Sequence, residues 1–247
     1  MLTNAMSFQP CLEISDSHPA LAHSPLIRAI NKTLGYITDN GPIGLTKSGA
    51  FKRVFVQWAA EAVDWPGYRS EDLYAVNKVL NEWDMFPLGE VHDLLLAFKI
   101  GRHFKGEFCL TKLGKTFVGH PGRLFGFLAP LYLLEFDHTR HSRLNLVHLT
   151  DGWEVFLNAI NVKAQAVMSA DDLCEVLFEP PDTALPYDPV TLELRFQVLR
   201  PLCWLGLLQV VAKEDRGVNK DLYAKTPLWH AALRLQTDAM LEPIVMH

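Results

Sequence analysis

HDLLLAFKIGRHFKGEFCLTKLGKTFV, residues 92–118, is the stretch on which the fold turns. Apolar residues at Leu88, Val91, Leu94, Leu95 and Phe98 recur at helical spacing. Gly101 then reads as the stop, because glycine enters the left-handed region without a Cβ clash. The following RHFKGEFCL predicts two short strands around Lys105-Gly106, with Phe104, Phe108 and Leu110 available to a core. Thr111 is placed to cap a helix carrying Leu113, Phe117 and Val118, since its hydroxyl can accept from a first-turn amide. Gly114 would let that helix lie close to the hairpin.

An earlier stretch, LTKSGAFKRVF at residues 45–55, repeats the Thr-Lys-x-Gly signal. Counting back from each Thr gives eleven residues from Gly35 to Thr46 and ten from Gly101 to Thr111. Both units therefore read as helix, stop, short extended segment, Thr, helix. The helix after Thr46 is expected to bury Phe51, Val54, Phe55, Trp58, Ala59 and Ala62 along one face, with Trp58 nearly enclosed. A degenerate third copy begins at Leu205-Gly206, continues through LLQVV and a polar loop, and reaches LYAKTPLWHAAL. Here Thr226 takes the Thr position, Trp229 replaces the Gly, and twenty residues separate Gly206 from Thr226.

LTKSGAFKRVF together with the 92–118 stretch resembles the winged-helix modules of bacterial regulators. It is more closely similar to a family of uncharacterised bacterial and plasmid-borne proteins that carry LTKTG and, some way on, a helix, a short hairpin and LTxxG. The resemblance covers about Leu34 to Leu133 and extends more weakly to Leu235. It implies a fold of winged-helix type more strongly than an activity.

With 247 residues, 49% of them apolar, and a net charge of −5, the chain can fill a substantial core and is no globally basic nucleic-acid binder. Cys11, Cys109, Cys174 and Cys203 stand far apart with no CxxC, so reduced thiols are expected. The apolar run LFGFLAPLYLLEF, 124–136, is too short to span a bilayer and contains Pro130, which reads as a cytoplasmic protein. A turn is expected at Trp65-Pro66-Gly67, a helix from Ser70 to Trp83, and a proline-rich loop at EPPDTALPYDP from Glu179. The expected fold class is mainly α with minor β, built from tandem winged-helix-like units. The domains are an N-terminal arm (1–24), a tandem winged-helix-like lobe (25–140) and a helical lobe with a degenerate unit (141–247).

Most chemistry is thinly supported. Asp137, His138, His141 and His148 are able in principle to hold zinc, but no HExxH or dedicated fourth ligand accompanies them, and no metal or other cofactor is expected. GPIGLTKSG lacks the Walker spacing, no GxSxG exists, and no catalytic residue is nominated. Basic residues carry more information: Lys99, Arg102, Lys105, Lys112, Lys115 and Arg123 face a single acid, Glu107, between Ala97 and Arg123, a local balance of +5. Lys47, Lys52 and Arg53 repeat the theme. A hairpin wing and the following helix start can both meet phosphates. The helix before the hairpin carries Glu90 and Asp93 and no Arg, Asn or Gln for base contacts, so sequence-specific readout is not expected of it. The leading function is non-enzymatic macromolecule binding, with weak contacts to nucleic acid. The alternative is a protein-interaction or scaffolding module, with tryptophans as candidate anchors, and a metal-dependent enzyme comes third. No membrane partner is expected.

Overall fold

A computed structural model describes residues 12–139, 149, 152–178, 180, 188–212 and 221–241. These form two compact units, one of Ile14–Phe127 and the other of the remaining described residues. The described residues are mainly helical, with two small antiparallel sheets among them. His141, His148 and most of the proline-rich loop lie outside the described residues.

The first unit runs α1 (Pro25–Asn40), β1 (Ile43–Gly44), α2 (Arg53–Ala62), α3 (Ser70–Val76), α4 (Phe86–Ala97), β2 (Gly101–Phe104), β3 (Glu107–Leu110) and α5 (Lys112–Lys115), and it includes the start of α6 (Pro121–Leu134). The sheet order is β1-β3-β2. The expected hairpin is present: β2 pairs with β3 from Gly101–Leu110 to Phe104–Glu107, and Lys105 and Gly106 turn with φ of 51° and 77°. Thr111 caps α5 by accepting from the Gly114 amide at 3.0 Å. Gly114 is needed where it stands, because a Cβ there would fall 2.1 Å from the Ile100 carbonyl oxygen.

Several expectations require correction. Helix α1 does not end at Gly35 but continues to Asn40, and the stop is Gly41 at φ 85°. Thr46 caps no helix. Its hydroxyl accepts from the Ala50 amide at 3.1 Å and closes a tight turn, and α2 starts only at Arg53. That delay resets the phase of α2: Phe55, Val56, Ala59, Ala60 and Val63 face inward, Val54 is 72% exposed, and Trp58 is half-buried against Tyr36 and Phe55. The helix after Ser70 ends at Val76, and Trp83 sits in a separate short turn, Glu82–Asp84. Helix α4 is buried nearly all round, including Glu90 and His92, so Glu90 is not on a solvent face.

Gly101 is not the stop of α4. The left-handed residue is Lys99, at φ 56°, and Gly101 opens β2. Gly101 is glycine for another reason, since a Cβ would lie 2.0 Å from the Phe108 ring. Near the N-terminus of α6, Asp16 Oδ1 accepts from the Arg123 amide at 3.0 Å and Oδ2 meets His120 at 2.8 Å. Gly122 leaves room for this strap, because a Cβ would come 2.5 Å from the Ile14 carbonyl oxygen.

The second unit contains α7 (Trp153–Lys163), α8 (Ala170–Leu177), α9 (Pro189–Leu194), α10 (Arg200–Leu205), β4 (Leu208–Ala212), β5 (Leu222–Lys225) and α11 (Pro227–Ala232). Asp188 caps α9 through the Thr191 amide at 2.8 Å, with Pro189 as the first helical residue. A wide turn, Arg195–Leu199, joins α9 to α10. There the Arg200 amide reaches back five residues to Arg195, and Pro201 follows with no amide to donate.

The third sequence copy has the secondary structure expected of it. Helix α10 stops at Gly206 (φ 82°), strands β4 and β5 pair, and Thr226 caps α11. In both hairpins one Thr forms the same latch. The Thr111 amide donates to the Ile100 carbonyl at 3.0 Å and its hydroxyl to that of Lys99 at 2.6 Å. The Thr226 amide donates to Leu207 at 3.0 Å and its hydroxyl to Gly206 at 2.5 Å. The equivalent of Gly206 is therefore Lys99, two residues before Gly101.

Candidate functional site

Hairpin β2–β3 owes its shape to alternation. Phe108 is fully buried and pairs with His103, while Arg102 and Phe104 project from the opposite face of β2. Phe104 remains 48% exposed. The Arg102 guanidinium lies 5.2 Å and the Lys105 ammonium 5.3 Å from the centre of its ring. An aromatic plate flanked by two cations at a hairpin tip offers a stacking surface beside phosphate-neutralising charge.

All nine basic residues named from the sequence are exposed. Lys99 marks the end of α4, Lys112 and Lys115 lie on α5, and Arg123 stands in the first turn of α6 with its guanidinium 5.8 Å from the Phe117 ring centre. Lys47 sits in the Thr46 turn, Lys52 lies against Gly44, and Arg53 donates to Asn81 Oδ1 at 3.0 Å. Asp16, beside Arg123, is an acid that the count between residues 97 and 123 leaves out. Its amide and imidazole donors, first the Arg123 backbone and then His120, hold its carboxyl below the usual range.

On the other side of the hairpin lies a group that the sequence reading missed. Glu82, 6% exposed, accepts from the Phe51 amide at 2.6 Å through one oxygen and from His92 Nδ1 at 2.6 Å through the other. His92, stacked on Phe51 with ring centres 3.9 Å apart, places Nε2 2.8 Å from His103 Nε2. The outermost residue, His103, is exposed. Since Glu82 accepts, His92 Nδ1 must donate. In the neutral chain His92 Nε2 then accepts from His103 Nε2–H, which leaves the His103 Nδ1 lone pair outermost. Partial burial lowers the His103 pKa, His92 acts in the same direction, and the Glu82 charge opposes both. The one sequence cue was His92 itself, an imidazole in the middle of an apolar helix and hence in need of a buried partner.

The Thr46–Ala50 turn adjoins this chain. Gly49 (φ 86°) faces His103, and a Cβ there would come 3.4 Å from Cε1. A cleft of about 530 Å³ runs along the same turn, lined by Thr46, Ser48, Lys52, Arg53, Glu82 and Trp83. Trp83 is 83% exposed.

In the second unit His138 is 2% exposed, donates from Nε2 to the Tyr132 carbonyl at 2.6 Å, and packs against Tyr132, Phe136 and Trp153. Burial pushes it down to about 4. Asp137 is occupied by the amide and hydroxyl of Thr139 at 2.9 and 2.6 Å. Among the described residues no group of three or more His, Cys, Asp or Glu is arranged to hold a metal ion, and no helix is long and apolar enough to cross a membrane.

A family described as the Y4jL N-terminal domain matches residues 22–123, and one described as the y4jL C-terminal domain matches residues 143–227. The "uncharacterized protein y4jL" of Sinorhizobium fredii (strain NBRC 101917 / NGR234) is 40% identical over 173 residues, which cover 70% of this chain and 79% of that protein. No solved structure matches the chain.

Proposed function

The chain belongs to the y4jL family of bacterial proteins, and for this member we propose that the first unit is a nucleic-acid-binding module of winged-helix type, working through hairpin β2–β3. The observation that carries the reading is the exposed Phe104 ring with the Arg102 and Lys105 cations beside it. Because α4 is buried nearly all round, the contacts fall to the hairpin and α5, and they are directed at phosphates and base faces rather than base edges. Binding is weak and indifferent to sequence. Three phosphate contacts give a slope of log affinity against log salt of about −2.7 on duplex and about −2.1 on a single strand. Anisotropy titrations of labelled strands at several salt concentrations measure this. Folded protein that fails to bind at low salt rejects the reading.

A protein partner is the second reading. It draws on the exposed apolar side chains Val54, Tyr74, Val76, Val79 and Trp83 of the same unit.

A further inference from the structure

The knot Glu82–His92–His103 begins inside, at a carboxylate held by two donors, and ends at solvent on an imidazole. Its inner members fix the tautomer and direction of the outer one, as an orienting carboxylate does for a catalytic histidine. The surroundings of His103 also differ on its two flanks. Along the Thr46–Ala50 turn lies the cleft with Lys52, Arg53 and the exposed Trp83, whereas Arg102 and Phe104, the neighbours of His103 in β2, project from the opposite face of the strand. One aromatic plate and two cations thus line the cleft beside the turn that His103 adjoins.

We propose that His103 is the general base of an RNA-cleaving site whose substrate is a single strand laid along the Thr46–Ala50 turn, against Trp83. The proposal rests on nucleic-acid binding by the first unit. RNA is the class that fits because its 2′-hydroxyl supplies both the proton and the nucleophile, so the protein need provide only a base and cations. His103 Nδ1 takes the 2′-hydroxyl proton, and the 2′-oxygen attacks the adjacent phosphorus. The bond from phosphorus to the 5′-oxygen breaks, giving a 2′,3′-cyclic phosphate. The leaving 5′-oxygen takes a proton from water, and the imidazolium returns its proton to the hydroxide so formed. Lys52 and Arg53 neutralise phosphates. Glu82 and His92 are positioning residues that act through His103.

The test uses the full chain with EDTA present, a labelled single-stranded RNA, and the same sequence with 2′-deoxyribose. The RNA is cut to fragments ending in a cyclic phosphate, while the deoxy strand is bound and left intact. His103→Ala slows cutting about 100-fold or more, the usual contribution of a positioned base, and imidazole added to the buffer restores part of the rate. In Glu82→Gln the acid limb of the rate profile moves to lower pH. The groups coupled to the His103 ring are His92 directly and Glu82 through it, and loss of the negative charge disfavours the imidazolium. RNA that is bound but uncut, or cut equally by His103→Ala, overturns the general-base assignment and leaves the binding reading standing. Failure of both strands to bind overturns the two together.

Discussion

Hairpins β2–β3 and β4–β5 share a latch and differ in what surrounds it. Each follows a helix that ends on a left-handed residue, Lys99 or Gly206, and each closes on a Thr that ties its amide and hydroxyl to consecutive carbonyls. Beside β5, fully buried Asn161 is the hub on which the polar groups converge. Its side chain accepts from Trp229 Nε1 at 3.0 Å and Lys225 Nζ at 3.2 Å, and donates to Thr237 at 2.9 Å and Asp238 at 2.8 Å. Beside β2 the polar chain opens to solvent at His103. The buried histidines repeat the contrast, with His138 ending on a backbone carbonyl and His92 handing on to a second imidazole. The latch is the shared architecture, and the open chain is what the first unit adds.

The largest effect is expected at the Asn161 hub. Asn161→Leu leaves the buried Trp229 Nε1 and the half-buried Lys225 short of an acceptor, whereas exposed Asp238 keeps the Leu235 amide and water. The substitution costs about 3 to 4 kcal/mol, at about 1 to 3 for each stranded donor. Urea denaturation measures it. A loss under about 1 kcal/mol would show that the second hairpin does not depend on this hub.

Next comes acid. His138 is held neutral in the folded chain down to about pH 4, against an ordinary value of 6.5. The unfolded chain therefore binds more protons between those values. Its contribution is fully present above about pH 6.5, is lost as pH falls toward 4, and amounts to about 3 kcal/mol. His138→Gln should flatten that part of the stability profile. An unchanged profile would mean that the imidazole is not sealed.

The latches themselves grade by burial. Thr226 is 2% exposed and Thr111 half-buried. Thr226→Val should cost about 2 to 3 kcal/mol and Thr111→Val about 1, because water can replace the lost bonds only at the second site. Equal costs would erase the distinction between the hairpins. Smallest of all, His103→Ala should change stability by less than about 1 kcal/mol, as expected for an exposed side chain.

Local chemistry was legible in the sequence and phase was not. The Lys105-Gly106 turn, the Thr111 and Thr226 caps and the Gly206 stop each depend on a few adjacent residues, and all three features are present. Gly35 misled because a half-buried glycine with open space around it is tolerated inside a helix that has a better stop at Gly41. Thr46 misled because a threonine closes a tight turn as readily as it caps a helix, and that choice rotated the buried face of α2 away from Val54. The Glu82–His92–His103 chain joins a short turn, a helix and a strand, and no spacing along the sequence announces such a meeting. The basic residues were legible as a set, whereas their division between the Phe104 face, α5 and the cleft needed the fold.

The central claim is that the first hairpin and the helix it feeds are a phosphate-binding surface. The most direct measurement is the salt slope of nucleic-acid affinity for the wild type and for Lys105→Ala/Lys112→Ala, by anisotropy on a labelled duplex. Each phosphate contact contributes about −0.9 to that slope, so the double substitution should flatten it by nearly 2 without changing which sequence is preferred. A slope untouched by the two substitutions would contradict the claim and shift the weight to a protein partner.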